Sequence, residues 1–191
     1  MIDTTMRDTY KFGWIPNEEQ VFTYGNVWAV ENTTGPDRLI IAPYTSQIDV
    51  LRSLLKVLLG PCWILYVLVV PRSETQAGRY QSEQPILLED VDNFLIQYRE
   101  YLEGDGRMNL WIASTSGSAT LVYDRHNVIF AYGPLSEFEE ILSGLGLTKV
   151  ETVSYPVPHT HHYHEHFDMK TEQILEDRPW IYSPLKESDE N

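Results

Sequence analysis

Residues 62–70, CWILYVLVV, carry no polar side chain apart from the Tyr66 hydroxyl. Such a run reads as a strand, and with no polar face to offer to water it needs cover on both sides, which places it inside a sheet. Other strands must flank it and other elements must lie over it. The longer apolar stretch Leu54–Val70 contains Lys56 and is cut by Gly60-Pro61. Each half is too short for a bilayer core of about 30 Å, so the stretch reads as protein core and no membrane association is expected. The single cysteine, Cys62, opens this run; a thiol there reads as a small buried hydrophobe.

The flanking patterns supply the partners. Residues 21–30 and 38–43 are rich in β-branched and aromatic types around the turn-forming ENTTGPD, which reads as a hairpin. Ile48, Leu51, Leu54, Leu55, Leu58 and Leu59 follow helical spacing behind a Thr45 or Ser46 cap, with Gly60-Pro61 as the stop. A second helix is predicted over Leu88–Leu102. A third is predicted after Gly133-Pro134, where Ser136 and Glu139 have capping-box spacing. Between them MNLWIAS, ATLVYD and NVIFAYG read as three strands joined by the TSGS and DRHN turns, and Lys149–Ser154 as a short last strand. The polar stretch Arg72–Pro85 shows no periodicity and reads as a long loop. The expected fold is α+β: a mainly antiparallel sheet with about three helices packed on one face. It fills residues 1–154 as one domain. Residues 155–191 are expected to form a His-rich, Pro-flanked C-terminal extension, with one helix near Met169–Leu175, anchors at Phe167, Trp180 and Tyr182, and an acidic tail.

Composition enters through charge. With 14 Lys+Arg against 28 Asp+Glu the formal net charge is −14. That field repels phosphate backbones, which disfavours general nucleic-acid binding, and it suits a basic protein partner. The first residues contain Asp3 and Asp8 and no apolar run of about seven, unlike a secretory or transit segment, and a cytoplasmic location is expected.

Five of the six histidines, His159, His161, His162, His164 and His166, fall within eight residues, beside Glu165 and Asp168. Neutral imidazoles and carboxylates are ligands for Zn²⁺, Ni²⁺, Cu²⁺ or Fe²⁺, and an ion needs three or four of them converging at about 2.0–2.2 Å. On an extended chain His162, His164 and His166 point to one side and His159 and His161 to the other. Closing the shell then needs a residue from elsewhere; His126 and Asp124 of the DRHN turn, or Glu83 of the long loop, are the candidates. Glu165 and Asp168 serve as further ligands or as a general base. The same imidazoles could make the segment pH-responsive, because the last 41 residues carry nine acids and three bases.

The stretch His159-Thr160-His161-His162-Tyr163-His164 is similar to the HxHxDH motif of the metallo-β-lactamase family in its three histidines. Tyr163 stands where that motif has aspartate, and only 27 residues follow His164, so the further ligands that the family places downstream have no room. The family is set aside on that ground. Ser114, Ser116 and Ser118 lie in ASTSGSAT, which is not a GxSxG elbow and reads as a hairpin tip. No phosphate-binding loop or dinucleotide fingerprint is present. The sequence thus favours a binding module with an acidic surface. A small metal-dependent hydrolase built on the 159–166 histidines is the alternative.

Overall fold

The computed structural model describes residues 9–15, 20–72 and 74–189. Its strands are β1 (Phe12–Trp14), β2 (Gln20–Val21), β3 (Val27–Glu31), β4 (Arg38–Ala42), β5 (Cys62–Leu68), β6 (Gly78–Ser82), β7 (Met108–Ser114), β8 (Thr120–Tyr123), β9 (Ile129–Tyr132), β10 (Thr148–Lys149), β11 (His159–His161) and β12 (Trp180–Ser183). Its α-helices are α1 (Gln47–Leu55), α2 (Leu88–Gln97), α3 (Arg99–Gly104), α4 (Leu135–Gly144) and α5 (Asp168–Glu176). The mixed α+β class agrees with the sequence reading. The finer picture is corrected: among the described residues there are five α-helices, not three, and the main sheet is mixed, with nine strands in the order β10-β3-β4-β9-β8-β7-β5-β6-β12. Its edge strand β10 runs parallel to β3.

The apolar run that opened the sequence reading is β5, third from one edge, between β7 and β6. Its residues alternate: Cys62, Ile64, Tyr66 and Leu68 are fully buried under the helices, whereas Trp63 and Leu65 are half-buried on the other face. Cover on both faces is therefore incomplete. Burial pushes the Cys62 thiol up to about 11, which keeps it an inert apolar group.

The expected strand Lys149–Ser154 is only the two residues Thr148–Lys149, and four further expectations changed for identifiable reasons. The predicted loop 72–85 contains β6, because the edge of β5 needs a partner for its backbone, and Gly78, Tyr80 and Ser82 supply a buried side with few apolar letters to reveal it. The predicted helix 88–102 is broken at Tyr98, whose ψ of 11° lies outside the helical well, into α2 and α3. Ser46 occupies the N-cap position of α1, but its side chain makes no cap bond. Ser46 sits in the left-handed region, and the Glu103 carboxylate of α3 accepts from the Ile48 amide at 2.7 Å instead. At α4 the helix begins at Leu135, so Ser136 lies inside the first turn and makes no cap bond.

The C-terminal segment contributes to both sheets. Its β12 extends the main sheet beyond β6, with Tyr182 opposite Tyr80. Its β11 pairs antiparallel with β1 in a separate three-stranded sheet of order β11-β1-β2. Phe167 and Ile174 join the main core. Between these points the segment is held by a buried ionic network: Arg107 meets Asp105 bidentately at 2.8 Å, Asp168 at 2.8 Å and the His164 carbonyl at 2.9 Å. The effect is to lay β11 alongside the β8–β9 turn. No helix among the described residues is long and apolar enough to cross a membrane.

Candidate metal centre

The turn between β8 and β9, Asp124-Arg125-His126-Asn127-Val128, is built by its own side chains. Asn127 takes the left-handed conformation (φ 63°), which an asparagine tolerates at the end of a three-residue hairpin loop. The Asp124 carboxylate accepts from the amides of His126 and Val128, both at 2.9 Å, and from His126 Nδ1 at 2.9 Å. The Asp124 carbonyl in turn accepts from Lys11 Nζ at 3.0 Å. Lys11 is completely buried, donates also to the Leu102 carbonyl at 2.9 Å and lies 3.9 Å over the Tyr123 ring. His126 is therefore fixed through Asp124 by the turn's own amides and by the buried Lys11.

Opposite the turn, β11 presents His159 and His161 on one side, two residues apart. The three imidazoles meet: a ring nitrogen from each of His126, His159 and His161 lies within 4.8 Å of the others. Their ring centroids are 4.7–5.3 Å apart. Phe12 lies against all three, at 5.3–5.7 Å, and Tyr155 stacks on His126 at 4.7 Å.

The protons of two of these rings are placed by their partners. His159 Nδ1 is 3.1 Å from the Pro156 carbonyl, which can only accept, so Nδ1 carries the proton and the lone pair is on Nε2. His126 Nδ1 faces the Asp124 carboxylate, which leaves its Nε2 with the lone pair. A carboxylate or carbonyl behind an imidazole in this way is the arrangement that orients metal-ligating histidines. The third ring is different. Both nitrogens of His161 are buried and neither has a hydrogen-bond partner. Burial, reinforced by the nearby charge of Arg125, pushes this imidazole down to about 3. It is a neutral, buried imidazole, and a buried polar group left this way costs about 1–3 kcal/mol unless something outside the chain satisfies it.

A tetrahedral ion with bonds near 2.05 Å holds its ligand atoms about 3.4 Å apart. Among the described residues no fourth imidazole, thiolate or carboxylate joins the group. Asp124 stands behind His126 as a hydrogen-bond acceptor, so it is not a fourth ligand.

The remaining sequence candidates lie elsewhere. The alternation that would have put His162, His164 and His166 on one side stops because β11 ends at His161 and a 3-10 turn begins at Glu165. His162 packs on Tyr10 with centroids 4.3 Å apart. His164 Nε2 is 3.0 Å from the Tyr10 carbonyl, and His166 packs on Phe167 at 4.1 Å. With Arg72, Tyr163, Glu165 and Met169, His164 and His166 line an open concavity of about 790 Å³ that includes none of the three converging histidines. Asp168 is taken up by Arg72 and Arg107. Glu83 and Asp90 line a smaller cleft beside Arg178, and Arg79 pairs with Asp189 at 2.6 Å. Ser116 hydrogen-bonds to Ser114 and Ser118 in the β7–β8 turn, at the far end of β8 from His126, so these residues form no triad.

Gly106 allows β11 its close approach. Its amide donates to the His162 carbonyl at 2.9 Å, and a Cβ built there would lie 2.8 Å from the Lys11 carbonyl and 3.1 Å from His161 Cβ. Two backbones cannot yield cheaply, so Gly106→Ala is expected to cost about 1–3 kcal/mol and to push His161 out of line. Urea unfolding and a zinc titration of the same variant check both effects; an unchanged midpoint and unchanged affinity would mean that β11 has room to move.

Comparison with known proteins adds nothing to the geometry: no family model, no curated protein and no solved structure matches the chain.

Proposed function

We propose that this chain is a transition-metal protein whose centre is formed by His126, His159 and His161. The observation that carries the reading is the pair of buried, partnerless nitrogens on His161, set beside two rings whose Nδ1 atoms are already held by Asp124 and Pro156. A cluster of imidazoles that merely stack would hydrogen-bond its nitrogens or expose them to water. Imidazole suits Zn²⁺, Ni²⁺, Cu²⁺ and Fe²⁺. Zn²⁺ is the ion whose four-coordinate preference three nitrogens and one water complete, and the absence of thiolate from the group disfavours Cu⁺. The acidic surface supports the same reading, because a net charge of −14 concentrates dications around the molecule. That surface also suits a basic protein partner, and a metal centre is compatible with such a binding module.

Thermal unfolding of chelator-treated, untagged protein tests the proposal. Zinc at 100 times its dissociation constant adds about 2.7 kcal/mol, which for a chain of this size is a rise of roughly 5–10 °C. His161→Ala is expected to lose that rise, whereas His166→Ala, which alters a ring outside the group, keeps it. No rise in the wild-type protein, or an equal rise in His161→Ala, would overturn the assignment.

A further inference from the structure

We infer that the centre is hydrolytic and that its substrates are neutral esters carrying an aromatic or flat apolar group beside the acyl carbonyl. The inference rests on the metal reading above and adds to it an open coordination position and a shaped surround.

The open position follows from the ligand count. Structural zinc sites close their shell with four protein groups, whereas a site with three keeps a position for water. Among the described residues three groups converge here and no more. Zinc-bound water ionises near pH ~7, which supplies hydroxide under neutral conditions. The Asp124–His126 hydrogen bond makes that ligand more basic and fixes its ring, so Asp124 is a positioning residue.

The surround follows from register. Facing residues of an antiparallel ladder project to the same side, and Phe12 pairs with His161 and Trp14 with His159. Both aromatic rings of β1 therefore share the face that carries the ligands. Phe12, 1% exposed, forms the floor. Trp14 at 37% and Tyr155 at 48% form a rim open to solvent. Tyr155 stacks on His126 and stands edge-on to His159 at 5.5 Å. Trp14 and Tyr155 are the exposed aromatic surfaces beside the three rings, against which a flat apolar group would rest. The chain's charge of −14 opposes anionic substrates. Arg125, which neighbours His126 in sequence and helps to depress His161, is the group that would favour them, and a phosphate ester tests that route directly.

The step balances without an oxidant or co-reactant. Hydroxide held by the metal would attack the acyl carbon and form a C–O bond; the ester C–O bond would then break, and the leaving group would depart as the alcohol or phenol, carrying the hydroxyl proton. Water would replace the carboxylate on the metal and release one proton to solvent as it ionises.

The test uses the full chain, zinc-loaded and chelator-stripped, with 4-nitrophenyl acetate and 4-nitrophenyl phosphate as probes and an equal concentration of zinc in buffer as the blank. Zinc content is measured in every sample. The expected result is acetate hydrolysis roughly 100-fold above the blank, lost on stripping and in His161→Ala. Trp14→Ala and Tyr155→Ala are expected to raise KM several-fold with zinc content unchanged. Stoichiometric zinc with hydrolysis no faster than the blank would overturn this inference and leave the metal reading standing. Faster hydrolysis of the phosphate would overturn the substrate class. Absence of bound zinc would remove both.

Discussion

Asp105→Ala is expected to destabilise the protein by about 3–5 kcal/mol, because it strands a buried guanidinium. Arg107 and Asp105 are both 0% exposed, and the carboxylate takes both Nε and Nη2 of Arg107 at 2.8 Å. It also accepts from the backbone amides of Arg107 and His164, at 3.1 and 2.8 Å. Alanine removes all four bonds and leaves Arg107 with Asp168, the Thr171 hydroxyl and one carbonyl. Three of the four bonds come from Arg107, in the loop before β7, and one from His164, just after β11, so the damage falls where the C-terminal segment is held to the sheet. Urea unfolding measures the loss. Limited proteolysis is expected to cut near residues 155–167 first. Replacing the pair together, Asp105→Ala with Arg107→Leu, is expected to recover part of the loss, since the charge that could not be satisfied is gone. A change below about 1 kcal/mol in the single variant would show that water reaches Arg107.

The second large effect is a pH dependence set by Lys11. Burial pushes this ammonium from 10.5 down to about 7, against the opposing pull of Asp124, Asp105 and Glu103. The folded pKa is the lower one, so between pH 7 and 10.5 the unfolded chain binds more protons than the native state, and stability rises with pH across that window. The slope approaches about 1.4 kcal/mol per pH unit at most. The buried tyrosines act in the opposite sense above about pH 10: Tyr66, Tyr101 and Tyr123 are all held protonated by burial in the native state. The informative interval is therefore roughly pH 7–9.5. Lys11→Met is expected to flatten the rise there, and urea midpoints of both proteins across the interval measure it. A wild-type midpoint that falls between pH 7 and 9.5 would contradict the assignment.

How much of this was written locally in the chain depends on the element. α4 and the three strands β7, β8 and β9 announce themselves because their burial pattern is their sequence pattern: Phe138 and Leu142 at helical spacing, Leu110 and Ile112 at period two. β6, β11 and β12 do not. GRYQS and HTH are short and mostly polar and WIYS has only four residues, and they become strands through partners about 10 to 150 residues away, a tertiary effect that propensity does not register. The break at Tyr98 is equally silent, since the apolar spacing runs through it.

The site divides the same way. Extended geometry puts His159 and His161 on one side of the chain, and the DRHN turn offers His126 with Asp124 behind it; both are readable from spacing. What spacing could not say is that β11 stops at His161, which sends His162, His164 and His166 to Tyr10 and Phe167. Nor could it supply Phe12, Trp14 and Tyr155, which reach the site through the β1–β11 register and through stacking. Lys11 is hidden for a related reason: a lone lysine near the N-terminus gives no hint that its ammonium ends beneath the Asp124 carbonyl.

The central claim is that His126, His159 and His161 hold one ion. X-ray absorption at the zinc edge, on protein loaded with one equivalent and dialysed, measures it most directly. The account expects a four-coordinate spectrum with about three imidazole nitrogens and one further light atom near 2.0 Å, and loss of the imidazole signal in His161→Ala. A six-coordinate oxygen shell, or zinc that dialyses away from the wild-type chain, would contradict it.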